Sequence, residues 1–247
     1  MVKLIHTADL HLDSAFRSRF TKEEAENRRQ KQLMAWKELL SFAVEKKVQG
    51  ILIAGDLFDS PVVSHGTMDF FLSTIAEHPE ISFFYLRGNH DTENTFRYQE
   101  NLPKNLFLFS EKGKKYRLND RLLLAGVEYG TEEESKFLKL KEEDCNILLL
   151  HGALYQGTPK GEAVQGEEGI FLKNLEKLPL SYIALGHIHK RGEGKLNSGA
   201  LWAYPGCLQG RGFDEEGERG FLYLKVEEEK KEIRKEFIPI KQGEFGD

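Results

Sequence analysis

The chain has 247 residues, 40% of them hydrophobic and 30% charged, enough apolar length to bury a core and exclude disorder as its main state. A formal net charge of -5, from 35 Lys plus Arg against 40 Asp plus Glu, gives a global field that repels polyanions. A nucleic-acid partner therefore has to be held by a local basic patch or by bound metal.

Apolar runs at residues 3–6, 50–54, 82–86, 122–126, 146–150 and 181–185 predict buried strands. The first run is too short for a signal peptide, and none reaches the roughly 18 residues of a membrane span. Between the first two runs, Leu33, Trp36, Leu40 and Val44 recur at helical spacing, which predicts an amphipathic helix within residues 22–47. Met68, Phe71 and Ile75 predict a second helix over 64–76. Strand, helix, strand, helix, strand opens an α/β layered sheet. Beyond residue 195, alternation at 221–226, a charged turn at 227–232 and a further run at 233–240 predict a β-hairpin within a C-terminal region of about 199–240. There is no internal repeat, heptad or low-complexity linker, so one domain over 1–247 is expected. Cys145 and Cys207 lie far apart with no Cys-x-x-Cys pair, which argues against a disulfide framework or thiolate zinc site and for a reducing, cytoplasmic setting.

Five of the eight histidines fall in short polar clusters, each following an apolar run. The clusters are Asp9-Leu10-His11, Gly55-Asp56-Leu57-Phe58-Asp59, Gly88-Asn89-His90-Asp91, His151-Gly152 and Gly186-His187-Ile188-His189. Strand ends of open α/β sheets are where ligands collect. In extended backbone, residues two apart share a side, so Asp9 with His11, and His187 with His189, are expected to face one cavity. Imidazole nitrogen mixed with carboxylate and amide oxygen suits manganese, iron or zinc better than calcium. The candidate ligands are Asp9, His11, Asp56, Asn89, His151, His187 and His189. That set exceeds one four-coordinate ion and suits two, with Asp56 as the natural bridge.

Asp-x-His alone is expected about 0.3 times by chance in this composition, and Gly-His-x-His, Gly-Asn-His and Gly-Asp-x-x-Asp on the order of 0.02 to 0.04 each, so their joint occurrence is a strong signal. His6 sits inside a strand, and His65 and His78 flank a helix without a polar companion at ligand spacing; these three read as structural or solvated. Cys145 reads as a small buried hydrophobe. Cys207 follows Pro205-Gly206 in a loop, and packing ranks above a metal or nucleophile role for it.

In that order, the motifs resemble the calcineurin-like metallophosphoesterases. Within that superfamily, the opening 5–13, the loop 55–59 and the tail Tyr204-Pro205-Gly206-Cys207-Leu208-Gln209-Gly210-Arg211, followed by Glu216-Gly217-Glu218-Arg219-Gly220, are similar to SbcD/YhaO-type DNA repair exonucleases. The resemblance implies an αββα two-sheet sandwich of mixed sheets flanked by helices, with a dinuclear site at the strand ends. It assigns one ion to Asp9, His11, Asp56 and His189, and the other to Asp56, Asn89, His151 and His187. It implies DNA as partner, together with a cap and a segment docking on an SbcC-like ATPase, neither of which is evident in this chain.

Two divalent ions, manganese preferred, would polarise phosphoryl oxygens and activate water for in-line displacement. His90 is then the expected proton donor to the leaving oxygen, with Asp91 orienting its imidazole and Asp59 restraining a ligand or loop. Arg17, Arg19, Arg28, Arg29, Lys190, Arg191, Arg211 and Arg219 are available for phosphate, Arg211 being preferred. Phe96 and Tyr98 border the cleft or pack. The expected function is a two-metal phosphodiester hydrolase, a DNA exonuclease or endonuclease working in repair. The alternatives are a phosphodiesterase or phosphatase for a small nucleotide or phosphomonoester, and a non-catalytic scaffold subunit.

Overall fold

A computed structural model describes residues 1–16, 20–92, 95, 96, 99, 101–128, 139–155, 169–210 and 217–241. The first half builds one sheet and its helical cover: β1 (Val2–Thr7), α1 (Lys22–Lys46), β2 (Gly50–Ala54), α2 (His65–Ala76), β3 (Ser82–Leu86) and β4 (Leu106–Leu108). A second sheet begins with β5 (Lys114–Arg117), β6 (Leu122–Gly126) and β7 (Cys145–His151). Then come a small pair, β8 (Ala153–Tyr155) and β9 (Gly169–Phe171), a one-turn helix α3 (Leu172–Leu175), and β10 (Tyr182–Gly186), β11 (Gly192–Lys195) and β12 (Leu201–Tyr204). The chain returns to the first sheet with the hairpin β13 (Gly220–Glu227) and β14 (Glu232–Pro239).

The sheet orders are β14-β13-β1-β2-β3-β4 and β11-β12-β10-β7-β6-β5, both mixed. β1, β2, β3 and β4 run parallel, as do β6, β7, β10 and β12. Side-chain parity explains why the strand segments read as continuous apolar runs. Ile5, Ile51, Ile53, Phe83 and Tyr85 face the helices, whereas Leu4, Leu52, Phe84 and Leu86 meet Ile147, Leu149, Tyr182 and Ala184 of the second sheet. Leu148, Leu150, Ile183 and Leu185 face the opposite way, into a third cluster with Leu175 of α3. Every central strand is covered on both faces, so none alternates.

Thr21 starts α1 with a capping box: its Oγ1 accepts from the Glu24 amide at 3.3 Å, and Glu24 accepts from the Thr21 amide at 2.7 Å. The helix buries Ala25, Gln32, Ala35, Trp36, Leu39, Leu40 and Ala43. The expected apolar stripe is corrected at its end, because Val44 is 46% exposed. Steps of four residues advance about 40° beyond a full turn, so a 36-40-44 row spirals off the buried face that a mixture of three- and four-residue steps keeps. Ser64 caps α2, and its amide donates at 2.7 Å to Asp13, which ties the loop after β1 to that helix.

His6 projects between the sheets. Its Nε2–H donates to the Leu185 carbonyl at 3.1 Å, and Nδ1 accepts from the Tyr182 hydroxyl at 2.9 Å. Burial pushes its pKa down to about 3. The unfolded imidazole takes a proton first, so the stability tied to neutral His6 is complete above about pH 6.5 and drains as pH falls toward 3. About 3 kcal/mol from this residue is expected to be gone at pH 4. Urea melts at pH 7 and pH 4 check this, with His6→Gln expected to show the smaller pH difference.

Candidate metal centre

All five polar clusters lie at the carboxyl ends of β1, β2, β3, β7 and β10, on one rim of the sandwich. The loops after β1 and β2 continue side by side past their strands. The Asp9 amide donates to the Gly55 carbonyl at 3.1 Å, His11 to Asp56 at 3.0 Å and Leu12 to Leu57 at 2.9 Å. Here the backbone departs from the extended form expected for the paired ligands: φ is 52° at Asp9, 44° at His11, 49° at Asp56 and 97° at His187. Left-handed conformations at non-glycine residues cost free energy and cluster at functional sites. The paired side chains share a cavity because the backbone kinks, and the period-two argument for that pairing is corrected accordingly.

Asp9 accepts from the His187 amide at 2.9 and 3.0 Å, linking the loops of the two sheets. His11 Nε2 lies 3.0 Å from His189 Nε2 and 3.6 Å from Asp56 Oδ2. The same carboxylate oxygen is 3.4 Å from His151 Nε2. Asn89 Oδ1 lies 3.0 Å from His151 Nε2 and 3.2 Å from His187 Nδ1. Among the described residues, Asp9, His11 and His189 form one group with ligand atoms within 4.8 Å, and Asp9, Asp56 and His151 form another. Asp9, His11, Asp56 and His151 are buried, His187 and His189 are half-buried, and Asn89 is exposed.

Gly186 makes this approach possible: a Cβ there would stand 1.7 Å from the Ala54 carbonyl oxygen and 2.8 Å from His151 Nδ1. His151 Nδ1–H donates to that same carbonyl at 2.9 Å, which leaves the Nε2 lone pair of the neutral ring turned toward Asp56 and Asn89. Burial raises the Asp9 carboxyl to about 6, against the pull of His151. Asp56 is also pushed up by burial, but His151, His11 and the His90 amide outweigh that and hold it below the ordinary carboxylate range. Burial depresses His151, and its contact with Asp56 and the charge of Asp9 overturn this and lift it to about 9. Carboxylate oxygens and imidazole nitrogens gathered within 3.0 to 3.6 Å of one another are the donor set a divalent transition-metal ion requires, so the residues present fit such a group.

The family profile of calcineurin-like phosphoesterases matches residues 2–191. The chain belongs to this family. Its relatives include the uncharacterized metallophosphoesterase YhaO of Bacillus subtilis, 28% identical over 242 positions that cover 90% of this chain and 57% of that protein. The DNA double-strand break repair protein Mre11 of Methanosarcina acetivorans is 27% identical over 266 positions, covering 99% of this chain and 40% of that protein. The chain thus spans about half the length of the curated relatives it matches. TT1561 of Thermus thermophilus shares the fold, with a TM-score of 0.54 at 14% identity over 96% of this chain and 98% of that one. This agrees with the two mixed sheets and flanking helices described above. No helix among the described residues is long and apolar enough to cross a membrane.

Around the ligand cluster, Asp59 reaches two histidines. Its carboxylate lies 3.2 Å from His11 Nδ1, and its carbonyl accepts from His90 Nδ1 at 3.0 Å. The expectation that Asp91 orients the His90 imidazole is corrected. The Asp91 carboxylate accepts from the amides of Leu57 and Phe58 at 3.1 Å and of Gly88 at 3.0 Å, pinning two ligand-bearing loops together. Arg219 is likewise corrected as a phosphate candidate: it is 7% exposed and donates to the His189 carbonyl at 2.7 Å. Arg28 lies over the Phe20 ring at 3.9 Å, Arg29 pairs with Glu26, Arg191 lies over Phe237 at 4.6 Å, and Lys190 is exposed. Phe96 packs edge-on to Tyr85 and Phe58. Arg17, Arg19, Tyr98 and the preferred Arg211 lie outside the described residues.

Two contacts that sequence reasoning missed shape the rim. Arg87, beside Gly88, pairs with buried Glu128, its Nε donating at 2.8 Å. Tyr204 donates to the Gly152 carbonyl at 2.7 Å and accepts from the Leu154 amide at 3.0 Å, fixing the turn after His151. Neither Arg87 nor Glu128 belongs to a spacing pattern; only the fold brings residues 41 apart together.

Proposed function

We propose that this chain is a two-metal phosphodiester hydrolase and a DNA nuclease of SbcD-like type acting in DNA repair. The observation that carries the reading is Asp56: one of its carboxylate oxygens stands between His11 of the first sheet and His151 of the second, at 3.6 and 3.4 Å. In this proposal Asp9, His11, Asp56 and His189 hold one ion, and Asp56, Asn89, His151 and His187 the other, with manganese preferred on the mixed nitrogen and oxygen donor set. The bound pair supplies Lewis acidity toward phosphoryl oxygens and activates water. As the imidazolium, His90 keeps its Nδ1–H on the Asp59 carbonyl and gives its Nε2 proton to the leaving oxygen, which leaves the ring neutral. Asp59 and Asp91 act earlier, by orienting His11 and by holding the loops that bear Asp56 and Asn89. The substrate assignment rests on the DNA repair proteins among the relatives and on the similarity of the opening and tail motifs.

Divalent-ion binding is expected to displace the His151 proton, since that imidazole is held at about 9. Apparent affinity should therefore climb by up to about tenfold per pH unit from pH 6.5 to 9 and flatten above it. Manganese titration calorimetry in buffers of different ionisation enthalpy checks this by counting the protons released.

The deciding experiment is cleavage of end-labelled single- and double-stranded DNA with manganese, beside a small chromogenic phosphodiester, with Asp56→Ala as control. Asp56-dependent DNA cleavage is the expected result. Hydrolysis of the small diester alone would shift the reading to a small-nucleotide phosphodiesterase, to which the net charge of -5 presents no obstacle. Failure on every phosphodiester at full metal occupancy would sink the hydrolase reading.

A further inference from the structure

The described parts of the tail motifs, 204–210 and 217–220, lie beyond the family match, which ends at residue 191, and the proposed chemistry uses none of them. Their place in the fold is specific. Three residues in or beside the C-terminal hairpin of the first sheet reach the loops and edge that follow β10 in the second. Arg219, immediately before β13, donates from Nη1 to the His189 carbonyl at 2.7 Å and lies 3.4 Å from Cys207 Sγ. Phe237 of β14 carries the Arg191 guanidinium on its face at 4.6 Å. Lys235 of β14 pairs with Glu193 of β11 at 2.9 Å.

The turn at residues 205–207 closes on the same carbonyl. Gly206 has φ +78°, and a Cβ there would stand 2.8 Å from the His189 carbonyl oxygen and 3.3 Å from the Arg191 amide nitrogen. Burying a guanidinium is costly, so the aim of its Nη1 at this particular carbonyl calls for a reason. That reason lies in which sheet each group belongs to. β13 is hydrogen-bonded to β1, whose end carries Asp9 and His11, whereas His189 follows β10 of the other sheet. One proposed ion thus draws its ligands from both sheets, and His11 Nε2 and His189 Nε2 must meet across the gap, where they stand 3.0 Å apart.

We propose that Arg219 is a positioning residue for the metal centre: anchored in the sheet that bears His11, it holds the His189 carbonyl and so sets His189 against His11. The proposal rests on the two-metal reading and extends it to residues outside the family match. Cys207 and Gly206 supply the close-packed wall against which the guanidinium and the carbonyl are held.

The test is manganese titration, by calorimetry and by paramagnetic resonance of free ion, on the full chain, Arg219→Gln, Arg219→Lys and Lys235→Ala, each checked by thermal melting without metal. In Arg219→Gln one of the two ions is expected to bind roughly 10- to 100-fold more weakly while the other is unchanged, the size usual for loss of a contact behind a ligand. Arg219→Lys, which keeps the charge but reaches less far, should weaken the same ion by a smaller factor of at least about threefold. Lys235→Ala breaks a hairpin contact that does not touch His189, and should move only the melting temperature.

Wild-type affinities in a cooperatively melting Arg219→Gln protein overturn the proposal. An equal loss in Lys235→Ala also overturns it, since the hairpin would then act as general scaffold. If the glutamine variant fails to fold, the lysine variant decides: selective weakening supports the positioning role, and unchanged affinities overturn it. A wild-type chain that binds no manganese sinks the two-metal reading itself, an outcome separate from any difference among variants.

Discussion

Asp56→Ala is expected to empty both metal positions and to lower phosphodiester hydrolysis by roughly 10³-fold or more, the scale of losing a main electrostatic stabiliser of the transition state. The residue does three things at once. Its Oδ2 stands 3.6 and 3.4 Å from imidazoles of opposite sheets, its Oδ1 accepts from the His90 amide at 2.9 Å, and its charge offsets the burial that would otherwise depress His151. Asp56→Asn separates these contributions. The amide oxygen keeps the His90 contact and the shape of the loop, while the bridging charge is lost. Both variants are expected to lose both ions, whereas only the alanine variant should also disturb His90. Calorimetry counts the ions, and the chromogenic diester reads turnover. Two ions bound at wild-type affinity in either variant would remove Asp56 from the bridging role, and one ion retained would show that the two positions are held independently.

The long central strands and the helices α1 and α2 are legible in the sequence because burial concentrates apolar residues on their covered faces, whereas the one-turn α3 is not. The short edge strands are not. β5 reads Lys-Lys-Tyr-Arg and β11 reads Gly-Glu-Gly-Lys; both are held by backbone pairing with an inner neighbour and carry charges outward, as edge strands do. The ligand candidates are legible as polar residues at strand ends, and the structure brings all seven to one rim. Their conformation is not legible: Asp and His enter the left-handed region more readily than most residues, but that preference is too weak to mark Asp9, His11, Asp56 and His187, where contacts between loops select it. The same limit explains Asp91 and Arg219. Neighbours in sequence suggested His90 for one and phosphate for the other, but a buried charge goes where the fold presents backbone groups of the opposite polarity. For Asp91 these are the amides of Leu57, Phe58 and Gly88, and for Arg219 the carbonyl of His189.

His90→Asn is expected to leave both ions bound and to lower kcat by roughly 10²- to 10⁴-fold, the usual share of a positioned proton donor. His90 stands beside the ligands, in a group with His11 and Asp59 whose ligand atoms lie within 4.8 Å of one another, and its Nδ1 contact is what argues for a different role. Its ring meets that of His11 edge-on at 4.9 Å, and Nδ1 is occupied by the Asp59 carbonyl. A substrate whose leaving group is already a weak base needs little protonation, so nitrophenolate esters should be hydrolysed by the variant with a much smaller deficit than alkyl phosphodiesters or DNA. Asp91→Asn serves as the contrasting variant. If Asp91 oriented the His90 imidazole, it would copy His90→Asn, with kcat reduced and metal affinity intact. Because its carboxylate gathers three amides from the loops bearing Asp56 and Asn89, it is expected instead to weaken metal binding and lower the melting temperature together. Equal deficits of His90→Asn on good and poor leaving groups would assign this histidine to stabilising charge on the phosphoryl group rather than to proton transfer.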